Sequence, residues 1–318
     1  MRTIRRVRRK LHRWADRHRP VILLYHRVAR IDCDPWGLAV PPDRFAEQIE
    51  ALTRHRKVVP LDLLVAELDR GRAPKDWVAI TFDDGYCDLL YAARPVLERC
   101  NCPATLFLTT GTLDTDGFWW DRLSEAVLTP KTLPDALHLN GGGHAFDWQS
   151  RSDDQAEREA LHLNLWRWLR RLDAGQREMQ LGRIEGWAGA TREHVERDRP
   201  LTTAELVKLS ANGIFAIGAH GITHAPLPEL DRFGKAAEIA GSRRRCEEIL
   251  GHPIASFAYP HGELDVECSE EVRRAGFRYA CSTEPGPVKV ESPRFDLPRM
   301  VVDSCGAEEL LERLPWGA

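Results

Sequence analysis

No run of 18 apolar residues occurs in the chain, so no part of it is expected to cross a membrane as a helix. An excess of one charge is missing too. Lys and Arg number 45 against 48 Asp and Glu, and a net charge of −3 gives no general attraction for nucleic acid. The eight cysteines include no C-x-x-C pair, and Cys100 and Cys102 stand too close for the usual structural zinc site. A disulfide framework is not expected in a chain of 318 residues with several cysteines in apolar runs; buried thiols in a reducing compartment fit better, which places the protein in the cytoplasm.

The basic start of the chain is followed only by the short apolar run Val21–Leu24, without a small-residue cleavage site, so a secretory signal is not expected. Residues 1–19 are strongly basic, with Ile4, Val7, Leu11 and Trp14 at helical spacing. They read as an amphipathic helix that packs its narrow stripe on the domain; peripheral contact with the inner face of an anionic membrane is the alternative. Hydrophobic residues at 43% and charged residues at 29% describe a soluble globular chain able to bury about three-quarters of its unfolded surface. Ten tryptophans are many. Such rings stack on sugar faces, although most tryptophans serve cores and interfaces.

Short apolar runs recur, each ending in polar residues: Val21–Tyr25 before His26, Trp77–Phe82 before Asp83, Ala104–Leu108 before Thr109, Ile214–Ile217 before His220, Ala255–Tyr259 before His261, Tyr279–Cys281, and Phe295–Leu297 before Arg299. Amphipathic helical patterns lie between most of them, at Phe45–Leu52, Leu61–Leu68, Tyr91–Arg99, Ala236–Leu250 and Glu270–Ala275. The alternation predicts an α/β fold of parallel strands with crossover helices. Active sites of such folds lie beyond the carboxyl ends of the strands. His26, Asp83, Asp84, His220, His261 and Arg299 all fall at such ends, and a barrel gathers them at one mouth. The expectation is a distorted (β/α) barrel of about seven strands. Residues 113–200 break the rhythm with a helix opened by Phe118-Trp119-Trp120-Asp121, a hairpin over 137–148, and helices near 153–171 and 176–187. They read as a mostly helical insertion that shapes the substrate groove, within a single domain spanning about 20–312.

The chemistry concentrates in four stretches. In Val78-Ala-Ile-Thr-Phe-Asp-Asp-Gly-Tyr86, a buried strand delivers two adjacent carboxylates, whose repulsion calls for a cation or a proton. In His220-Gly-Ile-Thr-His224, glycine beside the first histidine and Pro226 beyond the second favour a strand end entering a turn over a helix. Two imidazoles and a carboxylate with an open position form a catalytic zinc pattern. Tyr259-Pro-His-Gly262 carries turn residues around a tyrosine and a histidine. Arg299 in Phe295-Asp-Leu-Pro-Arg-Met300 would find a partner in a carboxylate pair, with an ordinary surface ion pair as the plainer reading.

Thr81-Phe-Asp-Asp-Gly-Tyr86, His220-x-x-x-His224 and Tyr259-Pro-His-Gly262 resemble three motifs of the polysaccharide deacetylases of the NodB-homology family, which are metal-dependent carbohydrate esterases. The likeness runs over about 20–125 and 200–312. Leu24-Tyr-His-Arg-Val28 and Leu297-Pro-Arg299 are similar to a bacterial branch associated with exopolysaccharide and other glycan assembly. The resemblance implies hydrolysis of an acetyl group, N-acetyl foremost, on a sugar. It implies a divalent metal, zinc foremost, with iron, cobalt or nickel as substitutes, held by Asp84, His220 and His224, and Asp83 as general base. Backbone near Gly85 or Tyr86 would steady the oxyanion, and Tyr259 and Pro260 would border the substrate. Two departures stand out. Ala258-Tyr259 occupies the place where many members carry an arginine before the third motif, and Arg299 is the candidate replacement. The last motif lacks the histidine that serves many members as general acid, leaving His26 or His261 for that role. Rival functions are hydrolysis of a non-sugar amide on the same scaffold and non-catalytic glycan binding.

Overall fold

The computed structural model describes residues 18–150, 154–190 and 198–314. The basic segment 1–19 therefore lies outside the described residues except for His18 and Arg19, and so does the first residue of the helix expected from 153. In chain order the elements are β1 (Val21–Tyr25), α1 (Pro42–His55), β2 (Lys57–Val58), α2 (Leu61–Asp69), β3 (Trp77–Asp84), α3 (Arg94–Arg99, preceded by a π-turn over Leu89–Ala93) and β4 (Ala104–Leu108). Next come α4 (Trp119–Leu128), β5 (Ala136–Gly141), β6 (His144–Gln149), α5 (Gln155–Leu169) and α6 (Ala174–Ala188). The chain continues through α7 (Thr203–Ser210), β7 (Phe215–Ala219), α8 (Arg232–Leu250), β8 (Ser256–Ala258), α9 (Val266–Arg274), β9 (Tyr279–Cys281), β10 (Met300–Val301) and α10 (Ala307–Arg313). No helix among the described residues is long and apolar enough to cross a membrane.

Chain contacts divide these elements into two units. Among the described residues, the first comprises 18–30, 37–111 and 201–314, and the second 31–36, 112–150, 154–190 and 198–200. In the first unit, seven parallel strands follow the order β10-β1-β3-β4-β7-β8-β9, with β2 added to the start of β3. Every residue of β1 and β4 is buried, as expected where helices cover a parallel sheet and the strands read as continuous apolar runs. A bridge between Cys281 and Leu297 continues from β9, and Met300 pairs with Leu23 of β1, so the segment 297–301 links the two ends of the sheet into a curled barrel.

That last segment departs from the run expected at Phe295–Leu297. Pro298 has no N–H to give a ladder. Leu297 pairs alone with β9, and a two-residue strand forms only at Met300–Val301. The strand β2, also two residues long, was not expected.

Alternation along β3 sorts its side chains. Phe82 packs outward against Tyr25 and Phe45, with ring centroids 5.4 and 5.9 Å away. Ala79 shares the opposite face with Thr81 and Asp83, and joins a buried cluster with Ile22, Phe107, Ala258, Cys281 and Leu297. Asp83 thus enters the interior from the strand that the sequence marks most clearly.

The second unit holds a hairpin in which Leu137 pairs with Trp148 and Gly141 with His144, and three helices. The side chains of Asp154 and Asp173 cap α5 and α6 by accepting from Glu157 N and Gln176 N. Its aromatic rings pack on one another. Phe118 stacks on Trp120 at 4.7 Å, Trp119 meets Trp120 at 5.6 Å, and Trp36 meets Trp166 at 5.1 Å. Trp119 and Trp120 are buried, so both serve this core.

Candidate active site

Asp83 and Asp84 are neighbours on β3, and regular strand geometry would send them to opposite faces. Asp84 instead adopts φ 73, a left-handed conformation uncommon outside glycine, and Gly85 follows at φ 106. The strand breaks there, and both carboxylates turn to one imidazole. His220 Nε2 lies 3.8 Å from Asp83 Oδ2 and 3.7 Å from Asp84 Oδ1. The peptide N–H of Thr109 donates to Asp84 O at 3.0 Å, which ties the break to the end of β4.

His224 returns to the site by the same device. After β7, Gly221 at φ 77 and His224 at φ 56 fold the chain back, and His224 Nε2 comes to 3.4 Å from Asp84 Oδ1. The two imidazoles meet edge to face at 4.9 Å. Among the described residues, ligand atoms of Asp84, His220 and His224 gather within 4.8 Å of one another, and all three residues are buried.

This donor set fits a first-row divalent cation. His220 Nδ1 lies 2.8 Å from Ala258 O, and a carbonyl only accepts, so Nδ1 carries the proton and Nε2 presents a lone pair toward the carboxylates. Burial pushes the His220 pKa down, against the pull of Asp83, which keeps the ring neutral as a ligand requires. The separations of 3.7 and 3.8 Å exceed a hydrogen bond.

Asp83 has a different partner. Arg299 donates from Nη1 to Asp83 Oδ1 at 2.6 Å and from Nη2 to Oδ2 at 2.7 Å, while its Nε donates to Ser282 O at 2.8 Å. Arg299 is fully buried. Burial raises the Asp83 carboxyl, but the charges of Arg299, His220 and His26 and the Arg299 hydrogen bonds together hold it below the ordinary range. Asp83 is therefore ionised at neutral pH.

The remaining residues singled out in the sequence divide. His26 follows β1, near enough for its charge to act on Asp83. His261 sits at φ 60 in a turn over Pro260–Gly262, its ring 4.3 Å from that of His224. The Gly85 N–H expected at the oxyanion already donates to Asp83 O at 2.9 Å. The Tyr86 ring is buried beneath the Arg27 guanidinium at 4.3 Å. Tyr259 is fully buried, and its hydroxyl donates to Phe295 O at 2.8 Å, so the barrel wall occupies the side chain proposed to border substrate. The turn leaves the Pro260 ring close to Gly221, where an added Cβ would stand 3.4 Å from Pro260 Cγ.

Sequence reasoning overlooked two buried groups. Asp88 accepts from Arg27 Nε and Val28 N, both at 3.1 Å, and so ties the loop after β3 to the loop after β1. Glu238 of α8 accepts three hydrogen bonds from the turn between the two histidines. The signal for Glu238 lay in its spacing: it falls on the same helical stripe as buried Lys235, Ile239, Ser242 and Cys246.

The family model for polysaccharide deacetylase matches residues 70–163 and 184–280, more than half of the chain. The chain belongs to the polysaccharide deacetylase family. Members of this family are hydrolases that act on the amide bond of N-acetyl groups in polysaccharides. Three solved structures show the same fold. The Streptococcus pyogenes deacetylase PplD, determined in complex with acetate, is 16% identical, with 94% of this chain and 99% of that chain covered at a TM-score of 0.63. IcaB from Ammonifex degensii is 17% identical over 90% of this chain and 92% of its own, with a TM-score of 0.57. A de-N-acetylase from Aggregatibacter actinomycetemcomitans is 13% identical over 93% of this chain and 100% of its own, with a TM-score of 0.58. No curated protein matches the chain. The deacetylase motifs within the matched residues are those that bring Asp83, Asp84, His220 and His224 together.

Proposed function

We propose that this deacetylase removes N-acetyl groups from a sugar of a polysaccharide or glycan intermediate, with a divalent cation, zinc foremost, held by Asp84, His220 and His224. The observation that carries the reading is the division of the carboxylate pair: both face His220, but Asp84 also faces His224, while both oxygens of Asp83 accept from Arg299. Non-catalytic glycan binding gives no reason for a second buried carboxylate with its own guanidinium.

A cation held by Asp84, His220 and His224 would supply Lewis-acid polarisation of the acetyl carbonyl and would lower the pKa of a water from about 15.7 toward about 7–9. Asp83 accepts the proton of the attacking water. Its bidentate partner uses one N–H per oxygen, and each oxygen keeps a lone pair for the incoming proton. Arg299 holds the carboxylate in one orientation, which confines the transfer to a single geometry. The N–H of Tyr86 is the proposed donor to the developing oxyanion. His26, whose charge acts on Asp83, or His261, whose ring lies against His224, is the proposed acid that returns a proton to the leaving amine. The reading extends to a cytoplasmic reaction, in keeping with the cysteine usage; contact of residues 1–19 with the inner membrane face is the alternative to their packing on the domain.

The test is acetate release from a panel of N- and O-acetylated oligosaccharides, lipid-linked sugars and cyclic ureides, before and after chelation and with zinc restored. The expected result is release from N-acetyl sugars that chelation abolishes and zinc restores. Release indifferent to chelation, release from non-sugar amides alone, or glycan binding without acetate overturns it. H26Q and H261Q in the same assay identify the acid.

A further inference from the structure

The turn from His220 to His224 contains two left-handed residues, Gly221 at φ 77 and His224 at φ 56. Such conformations cost about 1–3 kcal/mol at a non-glycine residue and persist only where the surroundings over-determine them. The constraints on this turn come from two sides. On one side, Thr110 N donates to Gly221 O at 3.1 Å and Gly111 N to Ile222 O at 2.8 Å. On the other, the successive N–H groups of Ile222 and Thr223 converge on Glu238 Oε2 at 2.7 and 2.9 Å, and the Thr223 hydroxyl donates to Oε1 at 2.7 Å.

Two successive N–H groups after a left-handed residue form a concave nest that binds an anion. Here the anion is a side chain of the same chain. Glu238 is buried, and the close fit extends to Gly221, where a Cβ would lie 3.0 Å from Glu238 Oε2. Without an acceptor at this place, two N–H groups of a half-buried turn would lack the partner that holds the turn in register.

We infer that Glu238 is a positioning residue for the metal ligands: its carboxylate fills the nest inside the His220–His224 turn and sets the angle at which His224 meets Asp84 and His220. The inference rests on the proposed ligand set, and it concerns metal affinity before it concerns turnover. Outer partners that orient a ligand typically change metal affinity 10–100-fold when removed. Thr223 extends the same device, because its hydroxyl donates to the second carboxylate oxygen.

The test measures zinc affinity of the full chain by competition with a chromophoric chelator, together with the melting temperature of the metal-free protein. Expected is a loss of affinity of about 10–100-fold in E238A. E238Q keeps a carbonyl acceptor and should lose less than E238A, and T223V, which removes one of three bonds, should lose less again. S242A, one turn along the same buried stripe of α8, should keep wild-type affinity whatever its melting temperature. If E238A does not fold, the ranking of E238Q and T223V against S242A decides. Zinc affinity unchanged in the Glu238 variants, or lowered equally in S242A, overturns the positioning role. Failure of the ligand set itself reads differently: the wild type would then bind no zinc, or D84N would bind it as tightly as the wild type.

Discussion

Nη1 and Nη2 of the Arg299 guanidinium meet the two carboxylate oxygens of Asp83 one to one, at 2.6 and 2.7 Å, inside the barrel and away from solvent. Lysine cannot reproduce this fork, since an ammonium is a single point charge. R299K should therefore fold yet lose most of its activity, about 100-fold or more in kcat, because the base no longer has one orientation. R299A leaves a buried carboxylate without its partner and should cost about 3–5 kcal/mol of stability. Denaturant unfolding and acetate-release kinetics on both variants measure the two effects. Wild-type kcat in R299K contradicts the orienting role.

Gly85 is the hinge that follows the carboxylate pair. Its φ of 106 disfavours any other residue, and an added Cβ would stand 2.6 Å from Leu108 Cδ1. G85A should lose about 1–3 kcal/mol of stability. The double variant G85A/L108A removes the clash but keeps the backbone strain, so it should not regain wild-type stability. Equilibrium unfolding of the two variants provides the check.

The second unit carries a pH dependence of its own. Burial pushes the His162 imidazole down from 6.5 to about 4, and its Nε2 lies 3.0 Å from Ser124 Oγ. The folded state keeps the ring neutral, while the unfolded chain protonates it near 6.5. Its contribution is therefore complete above about pH 6.5 and is lost as pH falls toward 4, worth at most about 3 kcal/mol. Melting temperatures between pH 7.5 and 4.5 should fall more steeply for the wild type than for H162Q. Parallel curves contradict the assignment.

Much of the site was legible because its residues end the chain's most apolar runs. The strand β3 leads into Asp83 and Asp84, and the motifs around His220 and His224 drew attention by residue type alone. The pairing of Arg299 with Asp83 was also within reach, since a guanidinium and a carboxylate pair at strand ends of one barrel have few other partners. What was not legible depends on backbone conformation or on distant contacts. That Asp84 leaves the strand at φ 73, so that adjacent carboxylates serve one site, is a torsion that no residue pattern announces. The burial of the Tyr259 side chain, whose hydroxyl donates to the carbonyl of Phe295, depends on residues 36 positions apart. The strand β2 is only two residues long and has no periodicity to detect. Pro298 was visible, yet its consequence, a split between the Leu297 bridge and β10, needed the positions of β9 and β1 on either side.

The central claim is that Asp84 belongs to the metal and Asp83 to the proton. It is tested most directly by measuring zinc stoichiometry and acetate release on D83N and D84N side by side. The account predicts that D83N binds one zinc with near-wild-type affinity and loses acetate release by about 100-fold or more. D84N should lose both. Near-normal acetate release by D83N, or zinc binding lost in D83N and retained in D84N, contradicts it.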